Sequence, residues 1–112
     1  MSVYTILSIT HILTALLVTA SCMPLAKDRI GRNHFYGMRV PKSFESDENW
    51  YAINRYGARR FFFWSGVLVL IGVAGLFFPL GEDTVLIVLV ALAPAVVYLI
   101  GAYETYRFSK KL

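Results

Sequence analysis

Few residues in this chain are of a type that does chemistry: two histidines, His11 and His34, one cysteine, Cys22, and seven side-chain carboxylates. His11 stands inside an apolar run, where an ionisable side chain is costly enough to suggest a proton relay, a ligand contact or a buried hydrogen bond. A relay needs further titratable partners at depth, and neither of the other two apolar runs contains Asp, Glu, Lys or His. The expected role of His11 is therefore a hydrogen bond to Thr14 or to a neighbouring helix. His11 and His34 fall at different depths, and no second cysteine or carboxylate has ligand spacing, so neither a metal site nor a cofactor is expected. Asp47 and Glu48 follow Ser46, where carboxylates meet the positive end of a helix dipole, so capping accounts for them better than acid–base chemistry. With no nucleophile motif or phosphate loop in the sequence, no enzyme activity is expected.

The elements that position these residues are set by an unusual composition. Of 112 residues, 57% are hydrophobic and 16% charged, whereas a soluble domain carries about a quarter charged residues. The charges are also segregated. Apart from Lys27, the stretch from Asp28 to Arg60 and the end from Glu104 onward, only Glu82 and Asp83 are charged. Three uncharged runs remain, roughly Tyr4 to Leu25, Phe61 to Leu80 and Thr84 to Tyr103, each near the ~20 residues that cross a bilayer as a helix. They are apolar on every side, without the alternation of a barrel strand. The expected fold is an all-α integral membrane protein. It has three transmembrane helices, with an amphipathic cytoplasmic helix from Ser46 to Arg60 between the first and second, and a tail from residue 104.

All eleven Lys and Arg lie either between the first two spans or after the third. The positive-inside rule then puts the central loop and the tail in the cytoplasm and the amino terminus outside the cell. Pro79 helps end the second span, and Gly81 to Asp83 form a tight turn on the outer side. The net charge of +4 is expected to meet anionic lipid headgroups rather than nucleic acid, because the basic residues flank spans and no nucleic-acid module surrounds them.

Thr19-Ala20-Ser21-Cys22 has the look of a lipoprotein cleavage site, but Met1, Ser2 and Val3 provide no basic leader, so the first span is expected to be retained. Ser8, His11, Ala15, Thr19 and Cys22 recur every three or four residues, giving a stripe that should face protein. Gly72 with Gly75, and Ala91 with Ala95, are expected to offer similar close-approach surfaces, within one chain or in a homo-oligomer. Pro94 should remove one backbone hydrogen bond and kink the third span; helix shape is the expected reason rather than a gate or pocket at the freed carbonyl, since no polar side chain is expected nearby.

The loop from Lys27 to Arg60 is long for so small a protein. Gly31 and Gly37 permit turns, Pro41 holds Val40 extended, and Trp50, Ile53 and Gly57 share a helical face with Asn54 beside them. The run Asn33, Tyr36-Gly37-Met38-Arg39-Val40-Pro41, followed by Ser46, Trp50, Asn54 and Gly57 and two apolar helices, resembles the SdpI family of bacterial membrane proteins. Val40 stands where that family usually has Thr. The resemblance implies immunity or resistance to a membrane-active peptide toxin, with Asn33, Gly37, Arg39, Pro41, Trp50 and Asn54 as the matching positions. On that reading Gly37 and Pro41 shape the turn, Asn33 and Asn54 tie it to the helix, and Arg39 binds a carboxylate, carbonyl or phosphate. Two other readings stay open: the cluster only braces the loop, or the chain is an accessory subunit of a larger membrane complex, packed through its small-residue stripes.

Overall fold

A computed structural model describes residues 2–78, 81 and 83–112. Helix α1 spans Val3–Ala26, a 3₁₀ turn covers Pro41–Phe44, α2 spans Asp47–Phe77, α3 Thr84–Ala91 and α4 Ala93–Ser109. Pro79, Leu80 and Glu82, where the second span and part of the outer turn were expected, lie outside the described residues.

Local chemistry explains each boundary. The Ser2 hydroxyl accepts from Thr5 N–H at 3.1 Å and opens α1. The helix closes as Asp28 turns left-handed at φ 57°, with Arg29 N–H bonding the Pro24 carbonyl at 3.0 Å and Asp28 N–H the Leu25 carbonyl. This is the Schellman closure, with aspartate in the position glycine usually fills. The Asp28 carboxylate then takes Arg55 at 2.8 Å, pinning the end of α1 to α2. Ser46 caps α2 through Asn49 N–H at 3.0 Å, with Asp47 and Glu48 in its first turn.

The helix that opens at Ser46 does not stop at Arg60. No glycine or proline interrupts Arg59, Arg60 and Phe61, so the amphipathic segment and the second span form one helix of 31 residues. The third span breaks instead, at Leu92, because Pro94 cannot donate to Val90. Its second half, α4, runs on to Ser109 and includes residues expected to be tail.

Three of the resulting helices, Val3–Ala26, Asp47–Phe77 and the broken Thr84–Ser109, are long and apolar enough to cross a membrane. Leu13, Leu17, Leu70, Leu89 and Leu99 are each more than half exposed around the bundle. Water would penalise such a surface, whereas lipid does not.

The interior is built around α2, which packs on α1 along one side and α4 along the other. Small residues set the α1–α2 distance. A Cβ on Gly72 would lie 2.8 Å from Ile12 Cγ1 and 2.9 Å from the Ser8 carbonyl oxygen, and one on Gly75 would collide with Ser8 Oγ. The stripe of α1 is thus used inside the chain, with Ser8, His11, Ala15 and Cys22 all buried. Ala91 and Ala95 are exposed and form no such surface within the chain. They flank the break at Leu92.

Polar groups join α2 to α4. Ser65 Oγ and Tyr98 Oη are 2.7 Å apart, Trp64 Nε1 donates to Glu104 Oε1 at 2.6 Å, and Arg60 Nη2 reaches Glu104 Oε2 at 2.8 Å. The Arg60 guanidinium also covers the Phe63 ring at 4.7 Å. Glu104 is therefore an anchor of the helix pair rather than part of a loose tail.

Candidate functional site: the braced loop between the first two spans

The segment from Ile30 to Phe44 folds onto the first turns of α2 and is held there almost entirely by backbone groups meeting side chains. Its tip is organised by Asn33. The Asn33 Oδ1 accepts from Phe35 N–H at 2.8 Å and Tyr36 N–H at 2.7 Å, while Nδ2 donates to the carbonyls of Gly31 at 2.8 Å and Tyr36 at 2.9 Å. One amide thus satisfies four backbone groups of a tight turn. Asn33 does this wholly within the tip and makes no bond to the helix, contrary to its expected tie.

Asn54 makes that tie. Its Oδ1 accepts from Met38 N–H at 2.6 Å and its Nδ2 donates to the Trp50 carbonyl at 2.9 Å, one turn back in α2. Trp50, fully buried, donates from Nε1 to the Ile30 carbonyl at 2.8 Å. The loop is therefore fixed at its start by Trp50 and at its middle by Asn54, residues on one face of α2.

Gly37 fits because it has no side chain. Its φ is +129°, and a Cβ there would stand 2.8 Å from Asn54 Oδ1 and 2.9 Å from the Trp50 ring. Gly57 plays the matching part on the helix, where a Cβ would meet Met38 Cγ at 2.7 Å and Thr105 Cγ2 at 3.1 Å. Loop, α2 and α4 converge at that point. Pro41 opens the 3₁₀ turn, and Val40 before it is extended at φ −92°, ψ 158°. Ser43, fully buried, closes this turn by donating to the Val40 carbonyl at 2.6 Å. Phe44 fills the space between the His34 ring, stacked at 5.0 Å, and Trp50, tilted at 5.7 Å.

Five of the six motif positions are consumed by this bracing. Arg39 is different. It is exposed, forms no ion pair among the described residues, and spends one donor, Nη1, on the His34 carbonyl at 2.5 Å. The rest of its planar fork remains open beside a cavity of ≈ 330 Å³ lined by Gly37, Met38, Arg39, Val40, Ala102 and Thr105. A rigid loop that holds one guanidinium next to a cleft can bind a carboxylate, carbonyl or phosphate.

Met38, Ser43, Phe44 and Thr105 belong to this site and were not singled out in the sequence. Met38 alone left a trace there, as the residue enclosed by Gly37 and Arg39. His11 lies away from the loop, inside the spans. Its Nε2 is 2.8 Å from the Val90 carbonyl, an acceptor, so Nε2 carries the proton and donates. Of the two expected partners, a neighbouring helix is the one found. Val90 is the residue whose carbonyl Pro94 leaves without its helical donor, so a polar side chain does accompany the break, supplied by another helix.

Three apolar helices with lipid-facing flanks and a braced basic loop at one end define a multi-pass α-helical membrane protein. The profile of the SdpI/YfhL protein family matches residues 29–102, the stretch that holds the loop, α2, α3 and most of α4. The chain belongs to that family. No curated protein and no solved structure matches it.

Proposed function

We propose that this protein is a membrane-embedded binding protein of the immunity type, giving a bacterial cell resistance to a membrane-active peptide toxin. Its loop end faces the cytoplasm and its amino terminus faces outside. Family membership supports the class, and the segregation of Lys and Arg to the loop end supports the orientation. The single observation that carries the site is Arg39, an exposed motif side chain left with most of its donors unspent, displayed by a loop that the other motif residues hold still. A peptide that has entered the bilayer offers carbonyls at its unpaired helix end, or its terminal carboxylate, and an arginine fork binds either. An accessory-subunit role has less support, because Ser8, Ala15 and Gly72 are spent on packing within the chain, although Ala91 and Ala95 stay exposed.

The test is survival of susceptible cells expressing the chain during challenge with a panel of membrane-active peptides. Wild type should protect against at least one, Arg39→Ala should lose most of that protection at equal membrane abundance, and Arg39→Lys should recover part of it. Equal killing with and without the chain across the panel would falsify the reading.

A further inference from the structure

Phe35 is 91% exposed, more than any other large hydrophobic residue among those described. It is not on a loose loop, since Asn33 bonds its backbone and that of Tyr36 on both sides. A rigid turn that presents a bare phenyl ring has a surface to meet. Tyr36 gives the height of that turn. Its hydroxyl donates to the Ser21 carbonyl, and Ser21 lies five residues before Ala26 at the end of α1, or about 7.5 Å up the span at ~1.5 Å per residue. The tip therefore climbs back along α1. A groove of ≈ 240 Å³ separates it from the spans, lined by Ser21, Cys22, Leu25, Phe35, Tyr36 and Phe61 among others. Charge marks the level just beyond: Lys27 and Arg29, which follow the end of α1, are exposed and unpaired among the described residues.

We infer that the Phe35–Tyr36 tip is a re-entrant membrane wedge, inserted into the leaflet at the loop end. The Phe35 ring stands among acyl chains, and Lys27 and Arg29 sit at the phosphates of anionic lipids. Aromatic rings at the boundary with cations just above them form the pairing that stabilises interfacial segments. The long loop is thus a second membrane-contacting element beside the three spans.

A spin label at Phe35→Cys, in a Cys22→Ser background, reports its surroundings in vesicles containing anionic lipid. Leu17→Cys on the lipid-facing flank and Glu48→Cys on the exposed start of α2 serve as references. The expected result is loss of collisions with a water-soluble nickel chelate and gain of collisions with oxygen, matching site 17 rather than site 48. The unsubstituted chain gives an independent reading, in which a lipid-soluble carbene reagent should modify Phe35 or Tyr36. Chelate collisions equal to those of site 48, or absence of carbene label from residues 35 and 36 while Leu17 is labelled, would overturn the wedge and leave Phe35 as a water-facing contact for another protein.

Discussion

The imidazole Nε2 of His11, in the middle of α1, donates to the carbonyl of Val90, the acceptor that Pro94 deprives of its helical partner. Two features that look like separate liabilities in an apolar span compensate each other. A buried polar ring finds an acceptor, and a broken ladder finds a donor.

That pairing is measurable as a coupling. His11→Ala should destabilise the protein in detergent by roughly 0.5–2 kcal/mol, the range for an interhelical hydrogen bond in a membrane protein. Pro94→Ala returns a backbone donor to Val90, so in its background the cost of His11→Ala should shrink. A double-mutant cycle on thermal or SDS unfolding checks this. Strict additivity would mean that the two sites are independent.

Glycine substitutions should separate backbone need from bystander glycines. Gly37→Ala places a methyl against Trp50 and Asn54 at positive φ, and the loop should open to trypsin at Arg39. Gly66 has nothing within 4 Å of a Cβ, and Gly66→Ala should leave digestion unchanged while adding about 0.5–1 kcal/mol of helix stability. Digestion should therefore quicken in Gly37→Ala alone, while the melting curves of the two variants move in opposite directions.

How much of this was legible beforehand differs between spans and loop. The spans follow from apolar length alone, since lipid demands closed helices whatever the details. The loop positions showed through residues with special backbone roles, Gly37 and Pro41, and through Trp50 and Asn54 on one helical face. Their division of labour did not show. Asn33 and Asn54 are the same residue type in the same motif, yet one folds a turn on itself while the other bridges to it. Three-dimensional proximity alone decides between those roles. The contacts of Glu104 did not show for a related reason. A carboxylate after an apolar run reads as the start of a tail, and only the nearness of Arg60 and Trp64, some forty residues earlier, shows why the helix continues. Pro94 announced the break, but the donor that meets it comes from 79 residues away.

Asn54 allows its two bonds to be tested separately. Asn54→Asp keeps an acceptor for Met38 N–H but sets a buried carboxyl against the Trp50 carbonyl, so it should cost stability while the loop stays protected from protease. Asn54→Leu leaves the Met38 N–H without its acceptor under the loop, at a cost of about 1–3 kcal/mol. Hydrogen exchange at Met38 should then be slow in the wild type and Asn54→Asp and markedly faster in Asn54→Leu. Equal exchange in all three would mean that the loop is held by Trp50 and Phe44 packing alone.

Glu104 joins two partners that respond differently when it changes. Glu104→Gln keeps an oxygen for Trp64 Nε1 but removes the charge opposite Arg60, whereas Glu104→Ala removes both. The ion pair is half-buried, so its loss should exceed the ~0–1 kcal/mol of an exposed surface pair. In a Trp50→Phe background, where Trp64 is the only indole, its emission should hold its position in Glu104→Gln and shift in Glu104→Ala. Both variants should melt earlier than their parent, Ala more so than Gln. Arg60→Met tests the other side: if the pair matters chiefly by satisfying Arg60, then Glu104→Gln should cost less in the Arg60→Met background than alone. A cost unchanged by Arg60→Met would assign the contribution of Glu104 to Trp64 instead.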